Sequence, residues 1–364
     1  MRIIHFSDIH LSASNIEHLK DYYLKKLIAE LQKISQVNLI DLIIITGDLV
    51  DKGGSSLKNI KEYKGKNEIT PFQIFEKEFI DPICNSISLG KEKVIFIPGN
   101  HDIDRNEIEE ISEAGLISLL KDSETGDKYY RQLKDLEELS DSNKRLKEFK
   151  KFEKGYAAQH YNQSKYSFSY FESAYVVKCE IDNKEIGLAL INDSWRCSNE
   201  LKEDNHYIGY SQFIKCLNFL EKNKAEFNIA VMHHPLESIC KIERDKIKSI
   251  LINNNYDIVM AGHYHTNYAT RLNEYGTDKE CMCIQGRTAF DSPNEKIESL
   301  QPGFNVLDIS FDPISIQISL IKYRKDHYDF IREIDSKSDM QNKTSIPLKS
   351  LDINKFFLPY DDQY

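Results

Sequence analysis

Five apolar runs in this chain each break directly into a short motif of Asp, Asn, His and Gly, and that pattern restricts the fold more than any other feature. Ile3–Phe6 leads into Ser7-Asp8-Ile9-His10, and Leu42–Ile45 into Thr46-Gly47-Asp48-Leu49-Val50-Asp51. Val94–Ile97 leads into Pro98-Gly99-Asn100-His101-Asp102. Ile229–Met232 precedes His233-His234-Pro235, and Ile258–Ala261 precedes Gly262-His263-Tyr264-His265. A continuous β-branched run such as Leu42–Ile45 is typical of a strand buried on both faces. Between the runs, apolar residues recur at helical spacing: Leu24, Leu27, Ile28, Leu31 and Ile34, then Phe72, Phe75, Phe79 and Ile83 after Pro71. Phe213, Leu217 and Leu220, and later Ile247, Ile250 and Leu251, mark two more helices. Alternating strand and helix predicts an α/β fold. In open α/β sheets the ligand site lies beyond the carboxyl ends of the strands, so all five motifs should reach one edge.

The residue types say what that edge can do. Carboxylate, amide carbonyl and imidazole form a hard-to-borderline ligand set suited to divalent cations, Mn²⁺ first, with Fe or Zn²⁺ as alternatives. Asp-x-His and His-x-His place two side chains on the same side of an extended segment. Glycines allow tight turns and close backbone approach. Any one motif alone could be ordinary turn chemistry; five in order, each directly after an apolar strand, point to a metal centre.

The ordered set D-x-H, G-D-x-x-D, G-N-H-D, lone H and G-H-x-H resembles that of the calcineurin-like metallophosphoesterase superfamily, over about Met1 to Ile321. The resemblance implies two stacked β-sheets flanked by helices, a four-layer αββα sandwich, with two divalent metal ions at the shared edge. It implies that Asp8, His10, Asp48 and His265 hold the first ion. Asp48 would bridge to the second, which Asn100, His233 and His263 complete. The family pattern selects His233 over His234, which would line the pocket or pack. His101 is not a ligand in that pattern and would sit by the leaving oxygen, donating a proton or stabilising charge. Asp51 is the first choice to orient His101; Asp102 is the second, or else a helix N-cap.

Two ions a few ångströms apart can clamp a phosphate, and a water bridging them becomes the attacking nucleophile. Asp51-Lys52-Gly53-Gly54 looks like the Asp-Arg-Gly of phosphoprotein phosphatases with Lys for Arg, which lacks the bidentate fork. His-His-Pro looks more like the nucleotide phosphodiesterase branch. The expected activity is therefore phosphodiester hydrolysis on a nucleotide or nucleic acid. The alternative is a nuclease effector module of a larger defence or repair assembly, and a third reading is an inactive protein-binding scaffold. Arg105 could contact phosphate. Trp195 and Arg196 could stack on or pair with a base, or the Trp could simply be packed.

Residues 103–165 are dense in Lys, Glu and Asp with Leu and Ile at helical intervals, which predicts an inserted helical cap that shapes access, or a solvated hairpin. Residues 1–335 form the expected catalytic domain, and 336–364 read as a polar tail or linker through which a protein partner or downstream domain could dock. A net charge of −10 argues against broad grip on nucleic-acid backbone but leaves a local groove open. Seven scattered cysteines without a C-x-x-C pair suggest reduced thiols and a cytoplasmic chain. Cys281-x-Cys283 reads as part of a strand. No apolar run is long enough to span a bilayer, and Met1–Phe6 reads as a core strand instead of a signal peptide.

Overall fold

The computed structural model describes residues 1–66, 68–119, 128, 141–198, 206–273, 279–290, 300–332 and 344–347. The apolar runs form parallel strands, as their unbroken hydrophobicity requires. In the first sheet, β1 (Arg2–Phe6), β2 (Leu42–Ile45) and β3 (Val94–Phe96) run parallel. On the other side of β1 come antiparallel β11 (Gly303–Phe311) and β12 (Ile314–Arg324). Two short strands, β13 (Asp329–Arg332) and β14 (Thr344–Pro347), pair with different halves of β12. Part of the expected polar tail therefore adds a strand to the sheet, because β12 is long enough to take two partners on one edge. The remainder of that tail lies outside the described residues.

The second sheet has the order β4-β5-β6-β7-β8-β10-β9. Here β4 (Tyr166–Phe168) and β5 (Glu172–Lys178) pair antiparallel, and β5 turns through Asp182-Asn183 into β6 (Glu185–Ile191). Then β6, β7 (Phe227–Val231), β8 (Ile258–Ala261) and β10 (Glu280–Gln285) run parallel. The edge is β9 (Tyr268–Asn273), which the sequence reading did not anticipate; its half-exposed residues give no apolar run.

Period-two alternation sets the layers. Leu188, Ile229 and Met260 point into the cluster shared with Phe6 and Ile44 of the first sheet. Their neighbours Ala189, Ala230 and Val259 point the other way, under Phe213 and Leu217 of α7 (Ser211–Lys222) and Ile247 and Leu251 of α8 (Lys241–Asn253). The rings of Phe227 and Phe311 meet edge-on between the sheets, with centroids 5.4 Å apart. Helices α2 (Leu24–Val37), α3 (Pro71–Phe75) and α4 (Asp81–Ile87) accompany the first sheet, after a short α1 (Ile16–His18). Thr70 and Gln73 form a capping box around Pro71, which fixes where α3 begins. The result is the four-layer arrangement of two mixed sheets between helices.

The expected cap at 103–165 divides into unlike parts. Helix α5 (Glu110–Leu119) and a following unit lie within it, and residues 120–127 and 129–140 are outside the described set. Helix α6 (Lys147–His160) is no cap. Phe152 lies parallel to Phe96 at 5.2 Å and to Phe72 at 5.8 Å, and Phe149 and Tyr156 pack edge-on to Phe96. Tyr161, just beyond, stacks on Tyr175 of β5 at 4.2 Å and donates to the Val94 carbonyl. This aromatic face covers the otherwise open edge of β3 and ties it to the second sheet. The interleaved Lys and Glu of the segment hid that face. Phe152→Ala should cost about 3–5 kcal/mol by opening a cavity there. Urea denaturation would show it as a lower midpoint at constant slope; a change below about 1 kcal/mol would return α6 to the surface.

Candidate metal centre

The backbone builds the edge before any side chain acts. The Ile9 and His10 amides each donate to the Asp48 carbonyl at 2.9 Å, and the Leu11 amide to Leu49 at 3.1 Å. The first two motifs thus run side by side past the ends of β1 and β2. Asp102 joins the third motif to them: its buried carboxylate receives the amides of Gly99 at 2.8 Å, Val50 at 2.9 Å and Leu49 at 3.1 Å. Burial, reinforced by Asp48, lifts the Asp102 carboxyl to about 8. Neither sequence expectation for Asp102 holds, since it neither caps a helix nor faces His101. It is a brace made of main-chain hydrogen bonds.

Close packing of the motifs requires glycine. Gly47 has φ +92°, and a Cβ there would lie 2.6 Å from the His233 ring. Gly99 sits directly against Asp48, where any side chain would collide with the carboxylate. The ligand candidates themselves take unusual backbone shapes. Asp8, His10, Asp48, His263 and His265 all have φ between +50° and +75°, the left-handed region that residues with a Cβ rarely adopt.

All seven expected ligands converge. His10 Nε2 lies 3.9 Å from Asp8 Oδ1 and 3.6 Å from Asp48 Oδ2. His265 Nε2 is 3.6 Å from Asp8 Oδ1, and His233 Nε2 is 3.4 Å from Asp48 Oδ2. Asn100 Oδ1 lies 2.8 Å from His233 Nε2 and 3.2 Å from His263 Nδ1. Two sets, Asp8 with His10 and His265, and Asp8 with Asp48 and His233, each bring their ligand atoms within 4.8 Å of one another. Asp8 belongs to both sets, and Asp48 Oδ2 lies within 3.6 Å of both His10 and His233.

These residues fit divalent cations. Asp8 Oδ1 and His10 Nε2 are buried without a hydrogen-bond partner, a costly arrangement that a cation resolves. His233 Nδ1 lies 2.7 Å from the Thr46 carbonyl, so this nitrogen donates there and leaves Nε2 as the atom facing Asn100 and Asp48. Of the two adjacent histidines, His233 is therefore the one aimed at the centre. Burial, helped by the neighbouring His233, pushes His263 down to about 3, which keeps its lone pair free. Burial alone would raise Asp48, but His233 and His10 outweigh it and hold the carboxyl well below the usual range. The same carboxylate, with Asp8 and Asp193, outweighs burial at His233 and lifts it to about 10.

His101 stands beside the candidate ligands, and one of its ring nitrogens also lies within 4.8 Å of ligand atoms of His10 and Asp51. Its amide donates to Asp48 Oδ1 at 2.7 Å, and its ring meets His10 edge-on at 4.4 Å. Its Nδ1 lies 2.8 Å from Asp51 Oδ1. Its side chain is 31% exposed, so a ligand arriving at the edge can touch it. Lys52, 72% exposed, follows directly. Arg105 opens the turn Arg105–Glu107 with a buried Nε that bonds nothing.

The packed reading of Trp195 holds, while contact of Trp195 or Arg196 with a base does not. Trp195 and Arg196 are fully buried, so neither can meet a base. Trp195 Nε1 donates to the Ile208 carbonyl, and Arg196 pairs with Glu113 at 2.8 Å. Glu113 also pairs with Arg145 at 2.8 Å, so this buried triad fastens α5 to the loop after β6. Sequence reading also missed Asp193, whose Oδ2 accepts the His234 amide at 2.6 Å, and Thr288, which donates to the Asp8 carbonyl at 2.7 Å. Both follow strands, the one signal that could have found them.

Among the described residues no helix is long and apolar enough to cross a membrane. The family model for calcineurin-like phosphoesterases matches residues 1–267. An uncharacterised metallophosphoesterase-like protein of Bacillus subtilis, YydB, is 24% identical over 268 residues, covering 73% of this chain and 49% of that one. The chain thus spans about half the length of that relative. Among solved structures, GAP50 of Plasmodium aligns over 96% of this chain and 89% of its own, with 13% identity and a TM-score of 0.44. A putative 5′-nucleotidase from Staphylococcus aureus aligns over 99% of this chain and 56% of its own, with 12% identity and a TM-score of 0.39. With nearly three quarters of its length matched, and every motif of that stretch gathered at one sheet edge, the chain belongs to the calcineurin-like phosphoesterase family.

Proposed function

We propose that this chain hydrolyses phosphodiester bonds of nucleotides or nucleic acids, with two divalent cations held by Asp8, His10, Asp48, Asn100, His233, His263 and His265. The observation that carries this reading is the His101–Asp51 pair, half-exposed beside seven converging ligands. When bound, the ions supply Lewis-acid polarisation of a phosphoryl oxygen and a water of lowered pKa. The chain does the rest. Asp51 accepts the Nδ1 proton of His101, which fixes the tautomer and turns Nε2 outward. From there the ring holds a proton for the leaving oxygen, the step that an ester with a poor leaving group most needs. Asp48 receives the His101 amide, so the acid and the ligands share one support. Lys52, exposed and 3.9 Å from Asp51 Oδ2, can offer a substrate anion a point charge.

The test is a panel in Mn²⁺: an aryl phosphodiester, the matching monoester, cyclic nucleotides, and single- and double-stranded DNA. Faster turnover of the diester than of the monoester, with cleavage of at least one nucleotide or DNA substrate, is expected. Preference for the monoester throughout would reject the diesterase reading and leave a phosphatase. Exclusive cleavage of DNA would narrow the reading to a nuclease.

A further inference from the structure

A second group of ligand-type side chains lies behind the centre just described. Cys197, His206 and His234 are 5%, 4% and 3% exposed, and their ligand atoms all lie within 4.8 Å of one another. Cys197 follows β6 in the chain and His234 follows β7, so the group closes the inner side of the same sheet edge. We propose that Cys197, His206 and His234 form a zinc site with three protein ligands, separate from the pair of ions at the phosphoesterase centre.

The argument rests on tautomers and distances. Asp193 serves both imidazoles. Its carbonyl lies 2.7 Å from His206 Nε2, so that nitrogen donates and the other ring nitrogen keeps its lone pair. Its Oδ2 accepts the His234 amide at 2.6 Å and lies 3.2 Å from His234 Nδ1, which is buried without a hydrogen-bond partner. That leaves His234 Nε2 facing Cys197 Sγ, 3.7 Å away. A carboxylate or carbonyl behind each ligating ring is the usual support of a zinc histidine. Tetrahedral zinc with sulfur and nitrogen ligands separates neighbouring ligand atoms by about 3.3–3.6 Å, so the Sγ to Nε2 spacing already matches one edge. Bringing the widest pair to that spacing takes about 1 Å of side-chain motion.

Charge and softness favour the same ion. A thiolate and the Asp193 carboxylate together balance a divalent cation, and a water completes the fourth tetrahedral position. A thiolate with imidazoles selects zinc, whereas the neighbouring centre offers only oxygen and nitrogen. His234 lies closest to both places, since its ligand atom also comes within 4.8 Å of those of His233 and His263. Its ring stands 4.4 Å from that of His263, but it is His233 that reaches Asn100 and Asp48. A bound ion here would fasten the loop after β6 to the His-His-Pro turn that carries His233.

The test uses the full chain loaded with Co²⁺. A thiolate on cobalt gives a strong near-ultraviolet charge-transfer band, which an oxygen-and-nitrogen centre cannot produce. The band is expected in the wild type, lost in Cys197→Ala and kept in Cys216→Ala, a buried cysteine elsewhere. Zinc-loaded Cys197→Ala should hold one ion fewer than the wild type by elemental analysis. Absence of the band from the folded wild type overturns the proposal without needing any variant to fold. So does a band that survives Cys197→Ala. Loss of hydrolysis with the band intact would instead count against the phosphoesterase reading alone.

Discussion

Alanine at position 48 is expected to strip the chain of both ions of the phosphoesterase centre together and to drop hydrolysis to background. Asp48 Oδ2 lies 3.6 Å from His10 on one side and 3.4 Å from His233 on the other, so it is the carboxylate common to both halves. Its Oδ1 also receives the His101 amide, so the substitution loosens the third motif. It removes the charge that holds His233 near 10 and lets burial bring that ring down. The loss is thus of ligand and of scaffold. Metal analysis after gel filtration checks the first, and turnover of an aryl diester the second. Asp48→Asn separates them, because the amide keeps an oxygen for the His101 amide but lacks the bridging charge. Retention of two tightly held ions in Asp48→Ala would end the bridging assignment.

His101→Ala is expected to keep the ions yet lose roughly a hundredfold or more in turnover, the usual scale for a missing general acid. The reason is positional: Asp51 holds the ring edge-on to His10, outside the Asp8–His10–His265 and Asp8–Asp48–His233 sets, and the close group it shares is with His10 and Asp51 alone. The loss should shrink for a nitrophenolate leaving group, which departs without a proton, and stay large for an alkoxide. Asp51→Asn should repeat the pattern more weakly, since it alters how the ring is held and leaves the ring itself. An equal loss across leaving groups would assign His101 to charge stabilisation in place of proton donation.

What the sequence made legible follows from local chemistry. The parallel strands announce themselves because both faces are buried, and the motifs because polar residues follow them at once. The convergence of Asp8, His10, Asp48, Asn100, His233, His263 and His265 was readable for that reason. Edge strands were not: β9 and β13 are half-exposed, so no periodicity survives. Helix α6 was misjudged because Lys and Glu dominate its composition while its aromatics, Phe149, Phe152 and Tyr156, face the sheets. Even Lys150 and Glu153 of that helix are buried, paired with each other at 2.5 Å. Asp102 and Arg196 were misread through their neighbours. One is adjacent to His101 in sequence but turned to three amides, and the other adjacent to the site edge but locked to Glu113. Side-chain direction after a strand ends is set by tertiary hydrogen bonds, which spacing does not encode.

The left-handed backbone at five of the ligand positions has a consequence for how this centre handles ions. Each such residue costs on the order of 1–3 kcal/mol, and that energy is spent when the chain folds, before any cation arrives. The arms are held by main-chain hydrogen bonds, such as Asp8 to Gly47 at 3.1 Å and Ile9 and His10 to Asp48 at 2.9 Å, none of which involves a metal. Ion capture therefore has little ordering left to do, and release has little to undo. A preorganised cage of this kind exchanges its ions without unfolding. Which metal occupies it then follows from supply and the order of intrinsic affinities more than from induced fit.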